Sequence, residues 1–170
     1  SMLDTELSNL AEEGKLTNLD VLTKQVNRML ADPKGKRLSQ NFLRLWLELD
    51  NMGKMPPSRE FVSFYRDNLE SAMRRETDLF FQHVLEENLH PVELLSADYS
   101  FINRELGEHY GISGLEGNEF RKVRMEGSER GGILGHGSFL TASANGVDTS
   151  PVVRGIYVMN KLLDYTPPPP

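Results

Sequence analysis

The chain has 170 residues, 38% hydrophobic and 26% charged, which is ordinary for a globular protein and long enough to bury a real core in one domain or two small ones. Its 19 basic and 25 acidic residues leave a net charge of −6, so the electrostatic footprint of a nucleic-acid binder is absent. With no cysteine, the chain cannot hold a disulfide, a thiolate metal site, a cysteine nucleophile or a covalently attached c-type haem, and no apolar stretch nears the roughly 20 residues of a membrane helix.

Ser1-Met2 reads as a cleavage scar before a start residue with no signal peptide behind it, so the chain is expected to be an excised piece of a longer protein. The stretch TNLDVLTKQVNRMLADP predicts a helix with Thr17 as N-cap and Asp20 as its capping-box partner. Leu22, Val26, Met29 and Leu30 would form its apolar face, and Pro33 bounds it. KRLSQNFLRLWLEL continues the helical period through Leu38, Phe42, Leu45, Trp46 and Leu49. After the turn NMGKMPPS, Pro56-Pro57 and Ser58 can launch a short helix through Phe61, Phe64 and Tyr65.

Asp67 is expected to cap a long helix, with Glu70 three residues on and Leu69, Met73, Phe80 and Val84 inside. HPVELLSADYSFINRELGEHYGI reads as a short turn of helix and then a helix over residues 99 to 110, stopped by Gly111 with Ile112 as a hydrophobic clasp. From residue 113 glycine and charge dominate, with a short strand expected around Val123 to Met125. Near the end, Ser150 as N-cap and Pro151 at the first helical position start a helix with Val152, Ile156, Met159 and Leu163 at helical spacing. TPPPP ends it in an extended run. There is no internal repeat. The fold class expected is all-α or mainly α, a bundle of roughly five to seven helices with an irregular glycine-rich segment and at most one short strand pair.

Two stretches carry a resemblance. LLSADYSFINRELGEHYGI supplies Leu94, Leu95, Ala97, Asp98, Tyr99, Phe101, Asn103, Leu106, His109, Tyr110, Gly111 and Ile112 of one family pattern. RGGILGHGSFLTASANGVDTSPVVRGIYV supplies Arg130, Gly132, Leu134, Ser138, Leu140, Thr141, Thr149, Ser150, Pro151, Val152, Arg154, Gly155 and Val158 of a second. The chain thus resembles the junction of two adjacent domains of unknown function, fifteen-ninety-two and fifteen-eighty-eight. The similarity extends to EEGKLTNLDVLTKQVNRMLADPKGKRLSQNFLRLWL and SAMRRETDLFFQHVL, and so covers nearly the whole chain. On this basis residues 1–112 are the helical end of the first family domain, 113–132 an irregular bridge, 133–166 the start of the second domain and 167–170 a proline-rich spacer.

The resemblance implies a setting and no reaction. Such domains occur in large exported proteins of planctomycetes and some proteobacteria, beside c-type cytochrome domains and sometimes carbohydrate-binding modules. It implies haem c elsewhere in the parent and no cofactor here. The partners implied are neighbouring domains of the same polypeptide, cytochrome-like ones included, with polysaccharide as a second class and neither nucleic acid nor a membrane span. The role implied is a non-catalytic scaffold or interaction module for electron transfer, in a setting of polysaccharide breakdown. The alternatives are a catalytic or cofactor-binding module whose site is completed by other domains, and a carbohydrate-binding module using Trp46, Tyr65, Tyr99 and Tyr110 as a stacking platform.

The chemistry-bearing residues are few. Glu76, His83 and Glu87 share one helix at spacings that a carboxylate–histidine metal site can use, and equally read as a charge-supported helix flank. His109 and His136 are potential ligands or ordinary turn groups, and His90 before Pro91 reads as helix-end punctuation. GGILGHG lacks the lysine of a phosphate loop, so close helix packing explains its glycines at least as well. Ser138, Thr141 and Ser143 have no nucleophile-elbow setting, and Asp98, Glu105 and Glu108 do not establish opposed glycosidase carboxylates. Arg130, Arg154, His109 and Asp98 remain the candidate anion- or ligand-binding set. Arg154, in the first turn of the last helix, either receives a carboxylate or ties the bridge to acceptors of the first unit, with Gly155 permitting close backbone approach.

Overall fold

Residues 4–52, 67–128, 130–144 and 150–168 are described by the structure, a computed structural model, and the chain divides into two units, 1–38 and 39–170. The expected helix through Phe61, Phe64 and Tyr65 lies outside the described residues, as do Thr149 and the side chains of Leu38 and Asp67.

The first unit is held by polar contacts. Asp4 caps α1 (Thr5–Glu12) by accepting from the Leu7 N–H at 3.0 Å. Thr17 turns back to the Gly14 carbonyl at 3.0 Å, and Asn18 takes the capping place expected of Thr17 at the head of α2 (Leu19–Ala31). The Asn18 carbonyl oxygen accepts from Asp20 N and Val21 N, because its amide reaches the first free N–H groups from an extended backbone. α2 buries Gln25 against α1: the amide donates to Glu6 at 2.8 Å and accepts from Arg28 Nε at 2.8 Å, while Arg28 also pairs with Asp4 at 2.7 Å. Of the expected inner face, Leu22, Val26 and Met29 are exposed and Leu30 is half-buried.

The second unit holds the apolar core. α3 (Gly35–Trp46) crosses the division, and its inward stripe is Ser39, Leu43 and then Leu47 just past its end, at i, i+4 and i+8. Phe42 and Leu45, expected inside, are exposed. The rotation sets the Phe42 ring between Trp46 and Phe81, with ring centres 5.4 and 5.5 Å away. Along α4 (Asp67–Glu86), Leu69, Met73, Phe80 and Val84 are buried as the period predicts, and Glu76 and Thr77 are buried with them.

α5 (Glu93–Ser96) leads into β1 (Tyr99–Ile102), not into the helix expected over 99 to 110. Two aromatic residues favour the strand, and Asn103 marks the true helix start by accepting from Leu106 N at 3.0 Å. α6 (Arg104–Tyr110) then ends as expected, with Gly111 at φ 75° and Ile112 N bonded to the Gly107 carbonyl at 2.8 Å. β1 pairs antiparallel with β2 (Arg121–Arg124), Tyr99 opposite Arg124 and Ile102 opposite Arg121.

After a 3-10 turn at Ile133–Gly135 come α7 (Gly137–Ala142) and α8 (Pro151–Leu162), the latter capped by Ser150 with Pro151 at its first position. The described residues hold eight α-helices and this one strand pair, a mainly α fold in which the short α5 and α7 add to the number expected.

The core joins both ends of the unit. Leu43, Leu47, Met73 and Leu106 pack in one cluster with Ile133, Phe139 and Tyr157. α8 is rotated from the expected face, leaving Val152, Ile156 and Leu163 exposed while Tyr157 is buried. The Tyr157 ring stands edge-on to Phe139 at 5.1 Å, and its hydroxyl donates to the Leu47 carbonyl. Trp46 Nε1 donates to the Lys161 carbonyl at 2.5 Å, and Lys161 pairs with Glu48.

Candidate functional site

Polar side chains converge where α4 packs against β1, α6 and α7. Glu76 sits at the centre with no solvent exposure. Ser100 donates to its Oε1 at 2.6 Å and the Tyr110 hydroxyl to its Oε2 at 2.6 Å, so both oxygens have a donor. Tyr110 accepts in turn from the Gly137 N–H at 2.7 Å. Gly137 makes that approach possible: a Cβ there would stand 2.7 Å from the Tyr110 hydroxyl and 2.7 Å from Met73 Cγ.

Ser100 spends its proton on Glu76, so its oxygen faces His136 Nε2, 3.4 Å away, as an acceptor. His136 Nδ1 lies 3.1 Å from Thr77 Oγ1, and the Thr77 hydroxyl also reaches the Met73 carbonyl at 3.3 Å and Ser138 Oγ at 2.5 Å. The result is one connected chain of polar groups, from Ser138 through Thr77, His136 and Ser100 to Glu76. Burial holds His136 below the usual imidazole range against the pull of Glu76, which favours its neutral form. Burial, reinforced by the adjacent Glu76, holds the Tyr110 phenol well above its ordinary value, so it stays a donor.

The arrangement is chemically closed. Thr77, Ser138 and Glu76 are fully buried, and Ser100 and His136 nearly so. The adjoining cleft, lined by Tyr99, Arg130 and Gly132, is too tight to admit a water molecule. No hydroxyl is bonded to a histidine that a carboxylate also orients: Ser100 gives its proton to Glu76 and not to His136. This is a satisfied polar core, in which each member costs free energy only if a partner is removed.

The candidate residues distribute unevenly around it. The Arg130 guanidinium stacks over the Tyr110 ring at 4.0 Å and donates to the Gly135 carbonyl at 2.9 Å. His109 precedes Tyr110, its ring 5.7 Å away, and is held below the usual imidazole range by burial and then by Arg130. Arg154 is elsewhere, donating to Ser143 Oγ at 3.2 Å and the Leu140 carbonyl at 3.3 Å. Those acceptors belong to the end of α7, and among the described residues nothing lies within 4 Å of where a Gly155 Cβ would stand, so the close backbone approach expected there is not seen. Asp98 is exposed, and its carbonyl accepts from Met125 N at 2.7 Å.

Glu76, His83 and Glu87 do not converge. Glu76 turns into the core, whereas His83 accepts from Lys122 Nζ at 2.9 Å beside the Tyr99 and Phe101 rings, and Glu87 is exposed. His90 accepts from Val92 N at 3.2 Å at the start of a turn. The stacking platform is not assembled among the described residues, because Tyr99 is buried, Tyr110 serves Glu76 and the Trp46 N–H is bonded to Lys161. Sequence reasoning placed Glu76 only in a metal triad and missed the chain through Thr77, Ser100 and Ser138. The signal was present: Glu76 falls three residues after Met73 and four before Phe80, squarely on the buried stripe of α4.

Comparison with known families gives two adjacent matches. The model of PSD4, a protein of unknown function (DUF1592), matches residues 1–112, and that of PSCyt3, a protein of unknown function (DUF1588), matches residues 130–170. No curated protein and no solved structure gives a match.

Proposed function

Because the chain belongs to the PSD4 family (DUF1592) and runs on into a PSCyt3 (DUF1588) match, we propose that it is a non-catalytic scaffold that holds neighbouring domains of one polypeptide in fixed relation. The observation that carries this reading is the weld between the two matched segments. Tyr157 bonds to Leu47, Trp46 to Lys161, and the Gly137 N–H to the Tyr110 hydroxyl, so residues of the second segment complete the core of the first. A hinge between domains would carry few apolar contacts and a wet interface; a rigid spacer needs the shared core that Ile133, Phe139 and Tyr157 enter.

The domains so positioned would be c-type cytochrome and polysaccharide-directed ones of an exported protein, the setting that the family resemblance implies. No helix among the described residues is long and apolar enough to cross a membrane. The buried polar chain fits the scaffold role as an internal tie, since its hydroxyls and carboxylate spend their hydrogen bonds on each other.

The experiment mixes the chain with a c-type cytochrome domain of the same parent polypeptide and follows association by sedimentation and the haem spectrum. The scaffold reading expects a complex whose haem spectrum is that of the cytochrome alone. A reaction that requires this chain and is lost in Glu76→Gln, with the fold intact by circular dichroism, would replace it with the catalytic reading.

A further inference from the structure

Among the described residues β1 and β2 form a sheet of two strands, and the two strands differ in cover. α4 packs on β1, three of whose four side chains are buried. β2 is the open strand: Arg121, Lys122 and Arg124 are exposed, and only Val123 is half-buried against the core. The phase of the ladder decides which backbone groups face outward. Met125 N donates to the Asp98 carbonyl at 2.7 Å, one step beyond the pairing of Tyr99 with Arg124. The hydrogen-bonded pairs are therefore Asp98 with Met125, Ser100 with Val123 and Ile102 with Arg121. Lys122 and Arg124 fall between them. Their N–H and C=O groups turn away from β1, toward the side on which no third strand lies among the described residues. Such a row of backbone donors and acceptors is what an extended segment uses to join a sheet.

Charge selects what can lie there. Three of the four β2 residues are cations, in a chain whose net charge is −6. A second copy of this strand would set cation against cation, which destabilises cross-strand pairs, so the edge resists pairing with itself. Successive side chains alternate, which puts Lys122 and Arg124 on one face and Val123 on the other. Lys122 is already placed: its Nζ donates to His83 Nε2 at 2.9 Å and stands 3.8 Å over the centre of the Tyr99 ring. Arg124 meets Glu126 at 3.4 Å, with the two side chains 74% and 77% exposed, a pair that solvent weakens and an incoming carboxylate can replace. We propose that the outer edge of β2 is a docking site for an extended acidic peptide segment, which adds as a third strand. Its backbone bonds to that of Lys122 and Arg124, its carboxylates lie on the face those two side chains share, and apolar residues between them lie beside Val123. The edge is distinct from the joint between the family segments, so this site and the scaffold role can fail separately.

The test uses the full chain and a fluorescein-labelled octapeptide of alternating glutamate and valine, with binding read by anisotropy. A fully N-methylated form keeps the carboxylates but cannot donate to the sheet, and a lysine–valine form keeps the strand pattern with the opposite charge. The acidic peptide is expected to bind, and both controls to bind at least about tenfold more weakly. Arg124→Glu should weaken the acidic peptide about tenfold. Its melting temperature should match that of the parent chain, because the side chain is exposed. As a readout independent of any variant, peptide should slow hydrogen exchange at the amides of Lys122 and Arg124, while Val123, bonded within the ladder, changes little. No binding of the acidic peptide at millimolar concentration would overturn the proposal. Equal binding of the N-methylated form would mark a surface for any polyanion, and equal binding of the lysine form nonspecific adhesion; either result overturns it. So does protection that spares Lys122 and Arg124.

Discussion

Tyr110 and Glu76 are joined by a 2.6 Å hydrogen bond across 34 residues of sequence, and the same hydroxyl receives the Gly137 N–H. Tyr110→Phe therefore leaves a buried carboxylate oxygen short of a donor and a backbone N–H without an acceptor. The expected cost is about 2–4 kcal/mol, as two such groups at about 1–3 kcal/mol each partly relax. In a Glu76→Gln background the penalty should shrink, because a neutral amide is cheaper to leave underbonded. Urea denaturation of the four proteins gives the coupling; equal penalties in both backgrounds would refute a direct Tyr110–Glu76 interaction.

His136 sets a pH dependence. Its folded state sits below the ordinary imidazole value near 6.5, so the unfolded chain takes up the proton first as pH falls. The stability this provides is complete above about pH 6.5 and is lost as pH drops from there toward the folded value, with a slope of at most about 1.4 kcal/mol per pH unit per proton. His109 is shifted in the same direction and adds to it. Urea midpoints should fall between pH 7.5 and 5.5, and His136→Gln should flatten that fall; a variant with the parent's slope would remove His136 from the account.

Two glycines on the same segment should respond in opposite directions. Gly137→Ala pushes a methyl to 2.7 Å from Met73 Cγ and the Tyr110 hydroxyl, and overpacking of this kind costs about 1–3 kcal/mol. Gly155 lies inside α8 with nothing within 4 Å, so Gly155→Ala should stabilise by about 0.5–1 kcal/mol through helix propensity. Melting temperatures that move in the same direction would contradict the packing around Gly137.

Arg154 reaches Ser143 Oγ and the Leu140 carbonyl from two different nitrogens. A single ammonium cannot occupy both places, so Arg154→Lys should cost about 0.5–1.5 kcal/mol, one neutral-acceptor hydrogen bond. Stabilisation by sulfate or a uronic acid that disappears in the variant, with an unchanged melting temperature, would instead mark an anion site.

Local rules carried the readable part of this fold. Ser150-Pro151 and Gly111-Ile112 were legible because caps and stops are written in adjacent residues. The inner faces of α3 and α8 were not, since both helices have apolar residues on more than one side and only tertiary contact selects Leu43 and Leu47 over Phe42 and Leu45. Tyr99–Ile102 reads as helix in sequence because a four-residue strand exists only by virtue of its partner, which lies 22 residues further on at Arg121–Arg124. Among the site residues, single side chains such as Arg130 and His109 could be picked by type. The Glu76 chain could not, because Thr77, Ser100 and Ser138 become polar-core residues only once four elements meet.

Trp46 is the sole tryptophan of the chain, and its indole N–H is bonded to the carbonyl of Lys161 on the last helix. The protein thus carries its own optical gauge of whether that helix is seated. Detachment of the last helix would hand the indole N–H to solvent and redden its emission. Fluorescence during unfolding can therefore time the parting of the two family segments without any label, and in any larger assembly the same band would register strain passed along the chain from a neighbouring domain.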